Sequence, residues 1–236
     1  MARGPAGEPK PARTVANGRR SLNRDRVLEA ALAYADAHGA DALSMRRLGT
    51  ELGVEGMSLY KHVSDKDALL DGMVELLWGE LSCSPAPAAE WADALRDLAY
   101  AIRDLFHRHP NTAPLLAARN FVNAHVLGCY QEYVALLERA GFERRGAIQA
   151  ISAAVGHALG HALLELRWRD AHAETGDDAS DIARIRRVAQ ALPLDLPDPL
   201  VELAVELTDD YDRDRYFDLA TTALLHGLGT ARRATR

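Results

Sequence analysis

The sequence predicts an all-α protein with a small N-terminal three-helix unit and a larger helical C-terminal domain. Apolar residues recur three and four positions apart along most of its 236 residues, which is the spacing of helices that bury one face. Glycine or proline stands where these patterns stop, and no segment shows the apolar–polar alternation of a half-buried strand. We therefore expect a basic arm at residues 1–20, the three-helix unit at 21–66, a connecting helix and junction at 67–84, and the larger domain at 85–236.

The first predicted helix runs from Leu22 to His38. Val27 and Ala31 have the amphipathic spacing, and Gly39 follows the last residue. Glycine is common just beyond a helix C-terminus because it adopts a left-handed backbone without a side-chain penalty.

Two short helices joined at a glycine are predicted next. Ser44 can cap the first by accepting a hydrogen bond from a backbone N–H, and Leu48 and Leu52 share one face. Gly53 then allows a tight turn, so that a second helix at about 55–61 crosses the first at a steep angle. This pattern is typical of a helix-turn-helix that reads DNA.

The second helix has a composition that favours contact over stability. It opens with Gly56, Met57 and Ser58, where a stability-driven sequence would have alanine, leucine or glutamate. Leu59 can face the helical core, whereas the side chains that can reach phosphates or base edges are those of Tyr60, Lys61 and His62. The alternative is a helical hairpin within an all-helical core that binds no ligand.

The following helix is predicted to begin at Ser64, which has the capping-box spacing with Asp67. Lys66 lies in the first turn, where a cation opposes the helix dipole unless an anion compensates it. A DNA phosphate is such an anion, so Lys66 is a further candidate contact.

At this point the residues carry a family resemblance. From Leu22 to about Leu81 the chain resembles the N-terminal domain of the TetR family of transcriptional regulators. The matching segments occur in the right order and at the right separations, and they are Leu43-Ser44-Met45-Arg46-Arg47-Leu48, Leu52-Gly53-Val54, Leu59-Tyr60-Lys61-His62-Val63 and Lys66-Asp67-Ala68-Leu69-Leu70.

The resemblance implies a homodimeric, ligand-responsive regulator, most often a repressor, that releases a palindromic double-stranded DNA operator when a small-molecule effector binds the C-terminal domain. It also implies which positions meet the DNA. Gly56 and Met57 would approach bases, although both are weak base readers, so methyl contacts, Arg46 and DNA shape would contribute to operator choice. The full set of expected DNA contacts is Ser44, Arg46, Gly56, Met57, Ser58, Tyr60, Lys61, His62 and Lys66.

The net charge of −6 is unevenly distributed in a way that is compatible with DNA binding. Residues 1–66 contain 11 Lys and Arg against 8 Asp and Glu, a balance of +3, and the remainder carries −9. Phosphate contacts are local, so a basic N-terminal unit on an acidic body can bind a duplex. The basic arm is predicted to be disordered, and it either solubilises the chain or reaches into a minor groove.

Composition also bears on location. The chain is 48% hydrophobic but has no apolar run near 20 residues, and its N-terminus lacks the apolar stretch of a secretion signal. We therefore expect a cytoplasmic protein with no membrane partner.

Helical patterns continue through the rest of the chain. The connecting helix is predicted at 67–81, and Ser82-Cys83-Ser84-Pro85-Ala86-Pro87 breaks the pattern. Further helices are predicted at 91–109, 114–118, 120–140, 147–168 and 213–231.

The helix at 147–168 is apolar on two opposed sides, so it must be covered twice. One stripe can pack on its own core, and the other needs a partner subunit or a ligand cavity. Together with the helix at 213–231 it would form a four-helix bundle across a twofold axis, an arrangement that the resemblance also implies. The residues expected at this dimer interface are Ile151, Val155, Leu159, Phe217, Leu224 and Leu228.

An effector pocket is expected between the connecting helix and the C-terminal helices. Tetracycline repressors have a drug-anchoring histidine where this sequence has Leu81-Ser82-Cys83, which favours a different, largely apolar ligand. Each candidate pocket residue could equally fill the core. The candidates are Trp78, Phe106, His107, Phe121, Tyr130, His157 and His161.

His157 and His161 are four residues apart, a spacing that can place two imidazoles near one metal. Hydrogen-bonded core or pocket histidines are the alternative, and no ligand set is completed nearby, so we expect neither a metal nor a cofactor.

A helical metal-dependent hydrolase using His157, His161 and Glu165 is the competing enzyme hypothesis, and a protein-binding helical adaptor is the third. The sequence has no phosphate-binding glycine loop or nucleophile elbow, so we expect no enzyme.

Overall fold

The computed structural model describes residues 22–82, 84–86, 89–119, 122–173, 197–208 and 212–234. Within these ranges the chain is helical and contains no strand, which confirms the predicted all-α class. The basic arm at 1–20 lies outside the described residues. The helices are α1 (Arg24–His38), α2 (Met45–Leu52), α3 (Gly56–Leu59), α4 (Lys66–Gly79), α5 (Trp91–Arg108), α6 (Pro114–Ala118), α7 (Ala124–Arg139), α8 (Arg144–Ala173), α9 (Asp198–Thr208) and α10 (Arg213–Ala234).

Helices α1 to α3 form the N-terminal unit, and α4 packs against α1. Asn23 caps α1, since its side chain accepts a hydrogen bond of 2.9 Å from the backbone N–H of Arg26. Leu28, Leu48 and Leu59 are fully buried in the core between these helices. Burial of each such side chain contributes about 1.5–3 kcal/mol, which holds the short α3 in place.

Two glycines set how closely α2 and α3 approach. A Cβ atom at Gly49 would lie 2.8 Å from the backbone nitrogen of Gly56, and one at Gly56 would lie 3.0 Å from the carbonyl oxygen of Met45. Gly53 supplies the turn between the helices with a left-handed backbone, φ 67° and ψ 33°. The crossing therefore depends on missing side chains as well as on the turn.

Helix α4 links the N-terminal unit to the larger domain by packing against α1, α6 and α7. Arg119, just after α6, donates hydrogen bonds to the carboxylates of Asp67 and Asp71 in the first turns of α4. One buried apolar cluster runs through both parts of the chain and includes Met73 of α4 and Phe106 of α5. The two parts therefore share a core.

Helix α8 is the central element of the larger domain and packs against α5, α7 and α10. Its segment Arg144–Arg167 is long and apolar enough to cross a membrane by length and composition, with a mean hydropathy of 1.3 in its most apolar window. However, 44% of that window is buried inside the protein. Packing on three neighbouring helices accounts for this composition, which is that of a core helix.

The close crossing of α2 and α3 generates a test. We expect Gly49→Ala to lower the free energy of unfolding by about 1–3 kcal/mol, because the new methyl group would contact the backbone of α3 and force the helices apart. Urea denaturation measures this change. Gly128→Ala is the matched control, since a Cβ there has open space within α7, and alanine in a helix should leave stability unchanged or raise it by about 1 kcal/mol. Equal stability of the two variants would contradict the packing account.

Candidate nucleic-acid interface and apolar cavity

The predicted helix-turn-helix is present at α2 and α3. The Ser44 hydroxyl accepts a hydrogen bond of 3.3 Å from the backbone N–H of Arg47, which is the predicted cap. After Leu59 the chain continues in a tight turn, with hydrogen bonds from the N–H of His62 and Val63 to the carbonyl of Leu59. The second helix is thus shorter than predicted but leads into a helical turn.

Several of the predicted DNA contacts are exposed around this motif. Met57 at the start of α3 is 74% exposed and Tyr60 is 45% exposed, which is unusual for large apolar or aromatic side chains. Arg46 of α2, Lys61 of the turn and Lys66 at the start of α4 are also exposed. The surface, which we call the reading face, combines three cations with two projecting side chains, and its residues are Arg46, Met57, Tyr60, Lys61 and Lys66.

The other four predicted DNA contacts are not part of the reading face. Gly56 packs against the backbone of α2, and the lack of a side chain at this position lets α2 and α3 cross closely. This corrects the expectation that Gly56 faces bases. Ser58 and His62 are partly buried at the edge of the reading face, and the hydroxyl of Ser44 is engaged in its cap. The cap of α4 is also corrected, because Asp65 and not Ser64 accepts from the N–H of Ala68, at 2.7 Å.

The Asp65 cap keeps a charged carboxylate next to Lys66. The hydrogen bond from the backbone of Ala68, and then that from the Ser64 hydroxyl, lower the pKa of Asp65 below its usual value. A carboxylate at a helix N-terminus is favoured by the dipole, so α4 begins stably even though Lys66 opposes that dipole.

An apolar cavity that is partly open to solvent lies among α4, α5, α7 and α8. Concave, mostly apolar sites of this kind are where proteins bind small molecules. Among the predicted effector residues, Trp78 and Tyr130 line it. The other lining residues were not predicted as pocket residues, and they are Leu81, Ser82, Leu98, Val126, Cys129, Tyr133, Ile151 and Val155.

The other predicted effector residues do not line the cavity. Phe106 is fully buried core, and His157 bonds to the Thr221 hydroxyl of α10 at 3.0 Å. His107 and His161 both contact the Glu165 carboxylate. Phe121 lies outside the described residues. The structure thus corrects the assignment of Phe106, His107, His157 and His161 to the pocket, because each is committed to packing or hydrogen bonds elsewhere.

Glu165 is the centre of a buried ionic cluster between α5, α8 and α10. Arg103 donates to its two oxygens, from Nη2 at 2.6 Å and from Nε at 3.0 Å, and also to Asp214 at 2.6 Å. The Nε2 atoms of His107 and His161 lie 2.9 and 3.2 Å from the same carboxylate. The side chains of Arg103 and Glu165 are only 7% and 3% exposed, so this is a buried pair with its charges balanced.

The cluster sets the ionisation of Glu165. Burial alone would raise the pKa of Glu165, but hydrogen bonds from His107, His161 and Arg103, with the charge of Arg103, lower it far below its usual range. Glu165 is therefore ionised and saturated with donors at neutral pH.

This environment does not suit a metal. Arg103 is hydrogen-bonded to the Glu165 carboxylate that the hydrolase hypothesis required, and Nε2 of His157 bonds to the hydroxyl of Thr221. Within the described residues no group of three or more histidine, cysteine, aspartate or glutamate side chains is placed to hold a metal ion.

Two predicted dimer residues are buried within their own chain, which corrects their assignment. Ile151 is 1% exposed and lines the cavity, and Phe217 is fully buried against the rings of Tyr100 and His161. The remaining four, Val155, Leu159, Leu224 and Leu228, are partly buried.

The outer surface of α8 and α10 has a different set of apolar and small residues. Leu164 of α8 is 44% exposed and Leu219 of α10 is 65% exposed. Gly156 and Gly160 are exposed, and a Cβ at either would meet no atom of this chain within 4 Å. We call Gly156, Gly160, Leu164 and Leu219 the outer face.

Family models match the chain in two parts. Residues 27–73 match the model for bacterial regulatory proteins of the tetR family, and residues 84–232 match the tetracyclin repressor-like C-terminal domain.

Individual proteins agree with these matches. The HTH-type transcriptional repressor DrrR1 of Streptomyces coeruleorubidus is 32% identical over 176 residues, which span 74% of this chain and 62% of that repressor. The class D tetracycline repressor protein of Escherichia coli is 31% identical over 210 residues, which span 88% of this chain and 86% of that protein. The crystal structure of apo ActR from Streptomyces coelicolor superimposes with a TM-score of 0.72 at 26% identity and covers 91% of this chain and 98% of ActR. ActR has also been crystallised in complex with actinorhodin, with the same TM-score and identity.

The buried ionic cluster makes a stability prediction. Arg103→Met should lower the free energy of unfolding by about 3–5 kcal/mol, because it leaves the buried Glu165 carboxylate without its main cation. Arg24→Met is the matched control, since Arg24 forms an exposed pair with Glu75 at 3.0 Å and should cost about 1 kcal/mol or less. Chemical denaturation at neutral pH compares the two.

The same cluster predicts an acid dependence. Because the folded pKa of Glu165 is lowered, its contribution is complete above the unfolded pKa, about 4.3, and is lost as the pH falls below that value. The Arg103→Met variant should lose part of this acid sensitivity. An identical pH profile for wild type and variant would contradict the assignment.

Proposed function

This chain belongs to the TetR family of bacterial transcriptional regulators, and we infer that it is a ligand-responsive repressor that binds DNA through its N-terminal unit. The single observation that carries this function is a capped helix-turn-helix whose outer surface exposes three cations, a methionine and a tyrosine. The metal-dependent hydrolase is not supported, since Glu165 is bound to Arg103.

We propose that the reading face meets duplex DNA. Tyr60, Lys61 and Lys66 would hold phosphates, with His62 at the edge, whereas Arg46 and the projecting Met57 would reach base edges in the major groove. The methyl group of Met57 can contact a thymine methyl, and Arg46 can donate to a guanine. Ser44, Gly56 and Ser58 would act mainly by shaping the motif.

We propose that the protein is a homodimer whose outer faces pair across a twofold axis. Exposed Leu164 and Leu219 would be buried, and Gly156 and Gly160 would let a helix of the second copy approach closely. Two reading faces would then meet successive major-groove faces of a palindromic operator about one turn apart. A monomer mass by light scattering at micromolar concentration would contradict this.

We propose that the effector is an uncharged, largely apolar small molecule that binds in the cavity. Among the described residues, the lining contains no aspartate, glutamate, lysine or arginine to act as a counterion for a buried charge on the ligand. Trp78, Tyr130 and Tyr133 offer aromatic surfaces, and the tyrosine and Ser82 hydroxyls offer a few hydrogen bonds. The complex of ActR with actinorhodin supports a small-molecule effector for this chain.

We further propose that the chain acts in the cytoplasm, where its operator DNA lies, and that it regulates without catalysing a reaction. Membership of a family of transcriptional regulators supports both statements.

The reading face predicts how DNA affinity depends on salt. Lys61→Ala and Lys66→Ala should each weaken binding to a duplex selected from a random pool and reduce the slope of log K against log salt by about 1.8, because each removes one phosphate contact per subunit and thus two per dimer. Arg145→Ala is the control, since Arg145 is an exposed cation at the start of α8 and its loss should leave the slope unchanged. A slope that is the same in all four proteins would contradict the proposed face.

The cavity predicts where apolar ligands bind. Val126→Trp should weaken binding of the neutral dye Nile red at least about tenfold, because the indole would occupy the cavity. Leu127→Trp is the matched control. Leu127 is the next residue along α7 and is 58% exposed, so its replacement should leave the dye affinity unchanged. Circular dichroism checks that both variants fold. Equal dye binding by both would place the effector site elsewhere.

A further inference from the structure

The turn that follows α5 holds the end of α1. Nδ1 of His109 lies 2.7 Å from the Asp36 carboxylate, and the hydroxyl of Thr112 donates to the same carboxylate. The side-chain amide of Asn111 donates to the Asp36 carbonyl at 2.6 Å. One contact between the larger domain and the N-terminal unit is thus the short segment from His109 to Thr112.

The other face of the His109 ring meets a second carboxylate. Nε2 lies 3.1 Å from an oxygen of Glu80, the residue that ends α4, and Arg108 donates to the other oxygen of Glu80. The side chain of His109 is only 16% exposed. Since a carboxylate can only accept, the ring donates to both partners only when both of its nitrogens carry protons.

The contact lies at the C-terminal ends of three helices. Asp36 lies in the last turn of α1, Glu80 caps the C-terminus of α4, and His109 caps the C-terminus of α5. The ring of His109 therefore links the ends of α1, α4 and α5. Burial alone would raise the pKa of Glu80, but hydrogen bonds from Arg108 and His109 and their charges lower it, so Glu80 stays ionised.

Glu80 adjoins the cavity wall along the chain, although its own side chain does not line the cavity. It lies between Trp78 and the next lining residues, Leu81 and Ser82. The N–H of Leu81 bonds to the carbonyl of Trp78 at 3.1 Å, so this segment continues the helical path of α4. A ligand that displaces Trp78 or Leu81 would therefore shift the backbone that carries the Glu80 carboxylate.

We propose that His109 is the coupling residue between the cavity and the DNA-binding unit. Its ring joins Glu80, next to the cavity wall in the chain, to Asp36 of α1, and it holds the orientation in which two units of a dimer match one operator. The inference rests on the proposed function of a dimeric, DNA-binding repressor. Loss of the ring weakens the link, because Arg108 still bonds to Glu80 and Thr112 and Asn111 still bond to Asp36, but the side chain that joins the two is gone.

The test compares binding to two half-sites with binding to one. A duplex is selected from a random pool with wild-type protein, and the affinities of each protein for the full duplex and for a single half-site duplex are measured at one pH. Loss of orientation should weaken only full-duplex binding.

We expect His109→Gln, which lacks the two ring nitrogens that lie against Asp36 and Glu80, to lower the preference for the full duplex about fivefold or more relative to the wild type. His109→Arg, which keeps donors for both carboxylates, should retain the wild-type preference. His38→Gln is the matched control, since His38 is an exposed histidine at the same end of α1, and it should behave as wild type.

Two results would overturn the inference. A His109→Gln protein with the wild-type preference would show that the ring does not set the orientation. Equal weakening on both duplexes, in proportion to lost stability, would assign His109 a purely structural role. If wild-type protein selects no duplex at all, the proposed function fails and the coupling fails with it.

Discussion

Helix α4 packs against α1 of the DNA-binding unit and against α6 and α7 of the larger domain, so a single apolar cluster extends through both. Close-packed interiors transmit displacement, because they have few voids to absorb it. Trp78, near the end of α4, belongs to this cluster and lines the cavity. Lys66, at the start of the same helix, is part of the reading face. The proposed regulation depends on this shared helix.

Local rules explain how much of the N-terminal unit the sequence predicts. The Ser44 cap and the left-handed Gly53 follow from residues a few positions apart, and both are present. The role of Gly56 could not be predicted in this way, because it depends on how closely α2 and α3 cross. The start of α4 was misplaced by one residue, since Ser64 and Asp65 are both good caps and only the structure distinguishes them.

In the larger domain, local sequence patterns predicted less of the structure. Helical periodicity predicted α5, α7, α8 and α10, but it did not predict α9. The spacing of His157 and His161 suggested a metal, whereas the structure brings Arg103 to the Glu165 carboxylate from 62 residues away. The sequence indicated a pocket between the connecting helix and the C-terminal helices, and a cavity is present there. Most of its lining residues, such as Tyr133, could not be distinguished from core residues by periodicity.

The most direct test of the shared-helix account is to titrate a cavity-binding compound, such as a neutral apolar dye, into free protein and into protein saturated with its selected duplex. Coupling between two sites is reciprocal, so a compound that releases DNA must bind the DNA-bound protein more weakly, and by the same factor by which it weakens DNA binding. The account predicts a difference of about fivefold or more. Equal affinity for the free and DNA-bound protein would show that the cavity and the reading face are not coupled.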